Sequence, residues 1–215
     1  MSKYKAVIFD MDGTLLNTLE DITDSVNFAL RKNGFPLHKI SQIRNYVGNG
    51  VLRMIELAIP DGTPQALFDG TVDLFKQHYA ANSKNKTCPY AGIIELLQEL
   101  LTQNYQTAVI SNKYDLAVKE LNQFYFSNYI KLAIGESPQI KRKPAADMLL
   151  FALDRLNIKP SEALYVGDSE VDIETAKNAG TDFIAVSWGF RGGNFLRSHG
   201  ASIIIDTPSE LLSFL

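Results

Sequence analysis

The feature that most restricts this chain is a series of short apolar runs, most of them separated by a helical pattern. Tyr4–Phe9, β-branched and aromatic with no room for helical polar spacing, opens the series. Similar runs stand at Gln106–Ile110, Tyr129–Ile134, Ala163–Val166, Asp182–Val186 and Ala201–Ile205. Helical periodicities lie among them at Gly92–Gln103, Tyr114–Asn122, Ala145–Asn157 and Val171–Asn178. Strand, helix, strand repetition predicts an α/β fold: a Rossmann-like parallel sheet with helices on both faces.

One stretch breaks the alternation. From Leu16 to Lys84 there is no strand pattern, only helical periodicities at Thr18–Asn33, Ser41–Val47, Val51–Ala58 and Pro64–Ala80. The chain therefore divides into a sheet core, residues 1–15 and 85–215, and an inserted helical unit, residues 16–84. An insertion after the first strand belongs above the carboxyl ends of the strands, where open α/β sheets bind ligands.

Composition narrows the partners. With 21 Lys+Arg against 24 Asp+Glu and no run of like charge, the basic footprint of a nucleic-acid binder is missing. The longest apolar runs are a few residues, far short of the ~20 needed to cross a bilayer, so no membrane span is expected. A single cysteine, Cys88, forms no intramolecular disulfide, and acidic residues interrupt any leader-like pattern in the first thirty positions. Both features fit a cytoplasmic protein.

Asp10 and Asp12 fall at the end of the first strand, two residues apart, so both carboxylates leave the same side of an extended chain. A divalent cation between them relieves their repulsion, and Mg²⁺ favours such oxygens; a solvated Asp-Gly turn is the other reading. A second acid pair, Asp168 and Asp172, follows the run Ala163–Val166. A helix beginning near Ser169 would project both toward one point, although helix capping explains the same residues singly. Ser111 and Asn112 end another strand, and Lys143 precedes a helix; each suits a phosphoryl group, and each also suits capping or solvated surface. Trp188 reads as core packing.

Asp10-Met11-Asp12-Gly13-Thr14-Leu15, Ser111-Asn112, Lys143-Pro144 and Gly167-Asp168-Ser169-Glu170-Val171-Asp172 follow the order of the four motifs of the haloacid dehalogenase superfamily, which the chain resembles over most of its length. The insertion resembles that superfamily's helical cap. More narrowly, Val47-Gly48-Asn49-Gly50, His78-Tyr79, Pro89-Tyr90, Ser111-Asn112-Lys113 and Arg142-Lys143-Pro144 are similar to phosphoglycolate phosphatases.

The resemblance implies Asp10 as the nucleophile, through an aspartyl-phosphate, and Asp12 as general acid and base. It implies Mg²⁺ on Asp10, the Asp12 backbone carbonyl and Asp168, with Asp172 as a ligand or an orienting neighbour. Ser111 and Lys143 would hold the phosphoryl oxygens, with Gly13 and Asn112 on the substrate side. Gly48 and Asn49 of the cap would contribute to substrate choice, and Arg44 and Arg53 flank them. Asp12 sets the chain apart from dehalogenases, which expel halide and need no acid for it. The expected activity is hydrolysis of a small phosphorylated metabolite, 2-phosphoglycolate first, by a monomer or homodimer. The alternatives are a sugar phosphate mutase of the β-phosphoglucomutase kind, a pyrophosphatase or nucleotidase of the same superfamily, and a phospho-acceptor signalling module. The last is half this size and lacks the insertion.

Overall fold

The computed structural model describes residues 3–215; residues 1 and 2 of the expected core segment lie outside the described residues. The chain forms two compact units, one running to Leu16 and resuming from Pro89 to Leu215, the other Asn17–Cys88.

In chain order the elements are β1 (Ala6–Phe9), β2 (Leu16–Asn17), α1 (Leu19–Lys32), α2 (Ile40–Tyr46), α3 (Gly50–Ala58), α4 (Gln65–Asn82) and β3 (Cys88–Pro89). They continue with α5 (Ile93–Thr102), β4 (Gln106–Tyr114), α6 (Asp115–Tyr125), β5 (Leu132–Glu136), α7 (Asp147–Leu156), β6 (Ala163–Gly167), α8 (Glu170–Ala179), β7 (Asp182–Val186), α9 (Gly193–Ser198) and β8 (Ile204–Ile205). A 3₁₀ segment, Pro208–Phe214, follows.

Six strands form one sheet in the order β5-β4-β1-β6-β7-β8, and every pair is parallel. β1 is central and entirely buried, which is why it reads as an unbroken apolar run. Val7 and Phe9 pack with Leu96, Leu97 and Leu100 of α5 and Val118 and Leu121 of α6. Ala6 and Ile8 face the other way, onto Met148, Leu149 and Ala152 of α7 and Ala176 of α8. The helices thus cover both faces, as the alternation predicts. The second unit is helical throughout its length, α1 lying along α4 with Phe28 stacked on His78.

Three strand expectations need correcting. The run Tyr129–Ile134 begins inside a turn, because the amides of Tyr129 and Ile130 both bond to Phe126 O; the strand is Leu132–Glu136. Ala201 likewise closes α9 by donating to Leu196 O, leaving only Ile204–Ile205 as strand. β4 runs on to Tyr114, so Ser111 and Asn112 lie within it rather than after it. Pro144 stands ahead of α7 instead of at its first position.

Candidate active site

Strand register assembles the site. Phe9 pairs with Val109 on one side and Val166 on the other, so Asp10, Ser111 and Asp168 emerge along one edge of three neighbouring strands. The Asp10 amide donates to Val166 O at 2.9 Å, fixing where β1 ends. This edge lies where strand order reverses on either side of β1, the usual ligand position in such sheets.

Asp10, Asp168 and Asp172 are all buried, and one carboxylate oxygen of each lies within 4.8 Å of the others. Lys143, itself buried, places Nζ 2.7 Å from Asp10 Oδ1 and 2.7 Å from Asp172 Oδ1. It donates to Tyr165 Oη at 3.1 Å as well, so each of its three ammonium protons has an acceptor. Tyr165 Oη in turn donates to Asp172 Oδ1 at 2.6 Å. The other oxygen of Asp172 accepts from Ser169 Oγ at 2.6 Å and Ser169 N at 3.1 Å, while Ser169 Oγ accepts from the Asp172 amide. Capping and clustering, alternatives in the sequence, are here one arrangement: the capping box that starts α8 also fixes Asp172 against Lys143.

Asp168 is clamped by backbone. Phe190 N donates to its Oδ2 at 2.6 Å. A Cβ built on Gly13 would stand 2.3 Å from Asp168 Oδ2, and one on Gly189 would stand 2.3 Å from Asp168 Cβ. Glycine is therefore required on both sides of this carboxylate, and Gly13 also has φ +87°. Trp188 does more than pack: its Nε1 donates to Thr14 O at 3.1 Å, bracing the loop that follows Asp12.

The electrostatics follow from burial. Burial raises the Asp10 carboxyl most, Lys143 pulls it back, and Asp172 and Asp12 push it up again, to about 7. Burial, with repulsion from Asp10 and Asp172, holds Asp168 well above the usual carboxylate range. Burial alone would lower the Lys143 ammonium, but the carboxylates of Asp10 and Asp172 outweigh it and raise it. Three close carboxylates against one ammonium leave excess negative charge. Their oxygens are the hard donors that a divalent cation such as Mg²⁺ takes, so the residues fit that ion.

Asp12 stands apart from this cluster. Its Oδ2 pairs with Lys113 Nζ at 3.0 Å, and its side chain keeps 12% exposure. Ser111 Oγ accepts from Lys113 N at 3.2 Å, and Asn112 Nδ2 donates to Lys143 O at 2.9 Å. Gly48 and Asn49 belong to the other unit, between α2 and α3, where Arg44 is exposed and Arg53 pairs with Glu56 at 2.6 Å.

Sequence reasoning missed Tyr165, Gly189, the Phe190 amide and the pairing role of Lys113. Tyr165 reads as one apolar-run aromatic among several, and a backbone amide leaves no mark in a sequence.

The family model for haloacid dehalogenase-like hydrolases matches residues 7–186. The chain belongs to that family, and it is a phosphoric monoester hydrolase. It is 30% identical over 214 residues to phosphoglycolate phosphatase of Pseudomonas putida, covering 97% of this chain and 78% of that protein. It is 30% identical over 212 residues to phosphoglycolate phosphatase of Aquifex aeolicus, covering 98% of this chain and 96% of that one. A crystal structure from Lactobacillus delbrueckii subsp. bulgaricus, provisionally named phosphoglycolate phosphatase, superposes with TM-score 0.93 at 36% identity, covering 100% of this chain and 99% of that one. Among the described residues no helix is long and apolar enough to cross a membrane.

Proposed function

We propose that this chain is a Mg²⁺-dependent, cytoplasmic phosphatase that hydrolyses 2-phosphoglycolate through an aspartyl-phosphate on Asp10. The carrying observation is the pairing of two aspartates with opposite surroundings: Asp10 buried against Lys143, Asp168 and Asp172, and Asp12 part-exposed beside Lys113. The substrate reading is supported by relatives of that name spanning 97–98% of this chain.

Asp10 Oδ attacks phosphorus, and the bond from phosphorus to the ester oxygen breaks. Asp12 gives that oxygen its proton, then takes one from the water that cleaves the aspartyl-phosphate; efficiency at both steps requires hydrogen-bond reach. Lys143 holds the ionised Asp10 in place, since its Nζ touches Asp10 Oδ1 at 2.7 Å. Ser111 and Asn112, at the strand edge beside Asp10, are the groups that meet the phosphoryl oxygens. Asp10, Asp168 and the Asp12 carbonyl would hold Mg²⁺, which supplies positive charge where an anionic carboxylate meets an anionic ester. Asp172 orients the set: both its oxygens are already taken by Lys143, Tyr165 and Ser169.

Phosphate release is the test, measured on 2-phosphoglycolate, hexose phosphates, nucleotides and pyrophosphate with Mg²⁺ and with excess chelator. Chelator-sensitive release that strongly favours 2-phosphoglycolate is expected. Broad weak release removes the named substrate, and sugar phosphate isomerisation without release moves the chain to a mutase.

A further inference from the structure

Any ester cleaved here must bring its leaving oxygen within about 2.6–3.2 Å of Asp12, because that carboxyl gives the proton. In 2-phosphoglycolate one methylene separates this oxygen from a carboxylate. The substrate's carboxylate is thereby carried to the neighbourhood of Asp12, where like charge would repel it unless a cation stands there. Lys113 Nζ is 3.0 Å from Asp12 Oδ2, with 7% of its side chain exposed.

The other cations of this unit near the site are committed. Lys143 divides its donors among Asp10, Asp172 and Tyr165, and Arg191 is held by Glu170 at 3.0 Å. In the helical unit, Arg53 is already paired with Glu56. The backbone also aims Lys113. Pairing of β4 with β5 slips between Ile110 and Tyr114, from Ile110↔Ile134 to Tyr114↔Glu136, and such irregularities redirect side chains beside active sites. Without the slip, alternation along the strand would place Lys113 on the face shared with Val109 and Ser111. The Lys113 amide is tied at 3.2 Å to Ser111 Oγ, so the turn of the chain is held.

We infer that Lys113 reads the carboxylate of the substrate, so that selection for an acidic leaving group is built into the sheet core beside the general acid. This rests on the function proposed above and sharpens it. The interaction is a charge-assisted hydrogen bond in a largely buried site, worth about 10- to 100-fold in discrimination. Lys113 would act in substrate binding while also holding Asp12, and the two roles separate experimentally.

Ethyl phosphate has the same ester oxygen and methylene without the carboxylate. Comparing kcat/KM for 2-phosphoglycolate and ethyl phosphate, with Mg²⁺ present, in the natural chain, Lys113→Gln and Lys113→Arg tests the inference. The expected result is a fall of about 10- to 100-fold in the ratio of the two values for Lys113→Gln, carried mainly by KM, with most of the ratio kept in Lys113→Arg. Equal falls on both substrates would overturn it, leaving Lys113 as a support for Asp12 alone. A natural chain with no preference for 2-phosphoglycolate would instead remove the substrate reading and this inference with it. If Lys113→Gln fails to fold, Lys113→Met keeps the packing of the stem and decides the same ratio.

Discussion

The two halves of the site are built around aspartates two residues apart, yet they face opposite physical problems. Asp10 sits among Asp168 and Asp172 with one saturated ammonium, and its carboxyl is pushed up to about 7. Asp12 has left that crowd for a separate lysine and keeps a path to solvent. A nucleophile must be held still and stripped of water, whereas an acid and base must reach both an ester oxygen and a water. The chain separates these needs by ending β1 after Phe9, so that the first carboxylate stays in the strand edge and the second enters the loop.

The largest effect should come from breaking the first half. Asp10→Asn is nearly isosteric and removes the nucleophile, so turnover should fall by about 10⁴-fold or more while the fold persists. Phosphate release together with far-ultraviolet circular dichroism checks both parts, and substantial residual turnover would remove the assignment. Asp12→Ala breaks the second half and should cost about 10²- to 10⁴-fold, slowing formation and hydrolysis of the aspartyl-phosphate alike. Rapid-quench measurement of both steps decides it; a defect in one step only would mean that another group handles the other proton.

What could be read from the sequence divides along the same line. Asp10, Asp168, Asp172 and Lys143 were legible because parallel strands announce themselves as apolar runs and acids at their ends stand out. The sheet order puts those ends together, a consequence of pairing rather than of spacing, so two separated acid pairs pointed to one place. Less legible was everything set by irregular backbone. The slip in β4 that turns Lys113, the glycine at 189 and the Phe190 amide depend on local geometry with no periodic signature. Ser111 looked like a residue beyond a strand because its hydroxyl suggests a cap, yet hydrogen bonding to β5 resumes at Tyr114 and carries the strand past it. The short β8 failed for the reverse reason: Ala201–Ile205 is apolar enough for a strand, but Ala201 finishes a helix.

Lys143→Met probes how much of the first half is mutual compensation. Its removal leaves Asp10 and Asp172 buried without their cation, which typically costs about 3–5 kcal/mol of stability. Urea unfolding of the metal-free protein measures it. A loss under 1 kcal/mol would show that the carboxylates shed their charge by taking protons instead of relying on the lysine.

Metal and proton should compete for that same half. A carboxyl raised in the folded state binds more protons there than in the unfolded chain, so metal-free stability should fall as pH rises from about 4 toward 7. A divalent cation that binds only the folded state opposes this, adding about 2.7 kcal/mol at a hundredfold excess over its Kd. Thermal unfolding with and without Mg²⁺ across that pH range should therefore show a shift that grows with pH. Asp168→Asn should abolish the shift, because it removes one of the three clustered carboxylates. Asp12→Ala should keep most of it, because that carboxylate is paired with Lys113 and the backbone carbonyl remains. Equal loss in both variants would mean that the two halves are electrically one site, and the division of labour between Asp10 and Asp12 would have to rest on reach alone.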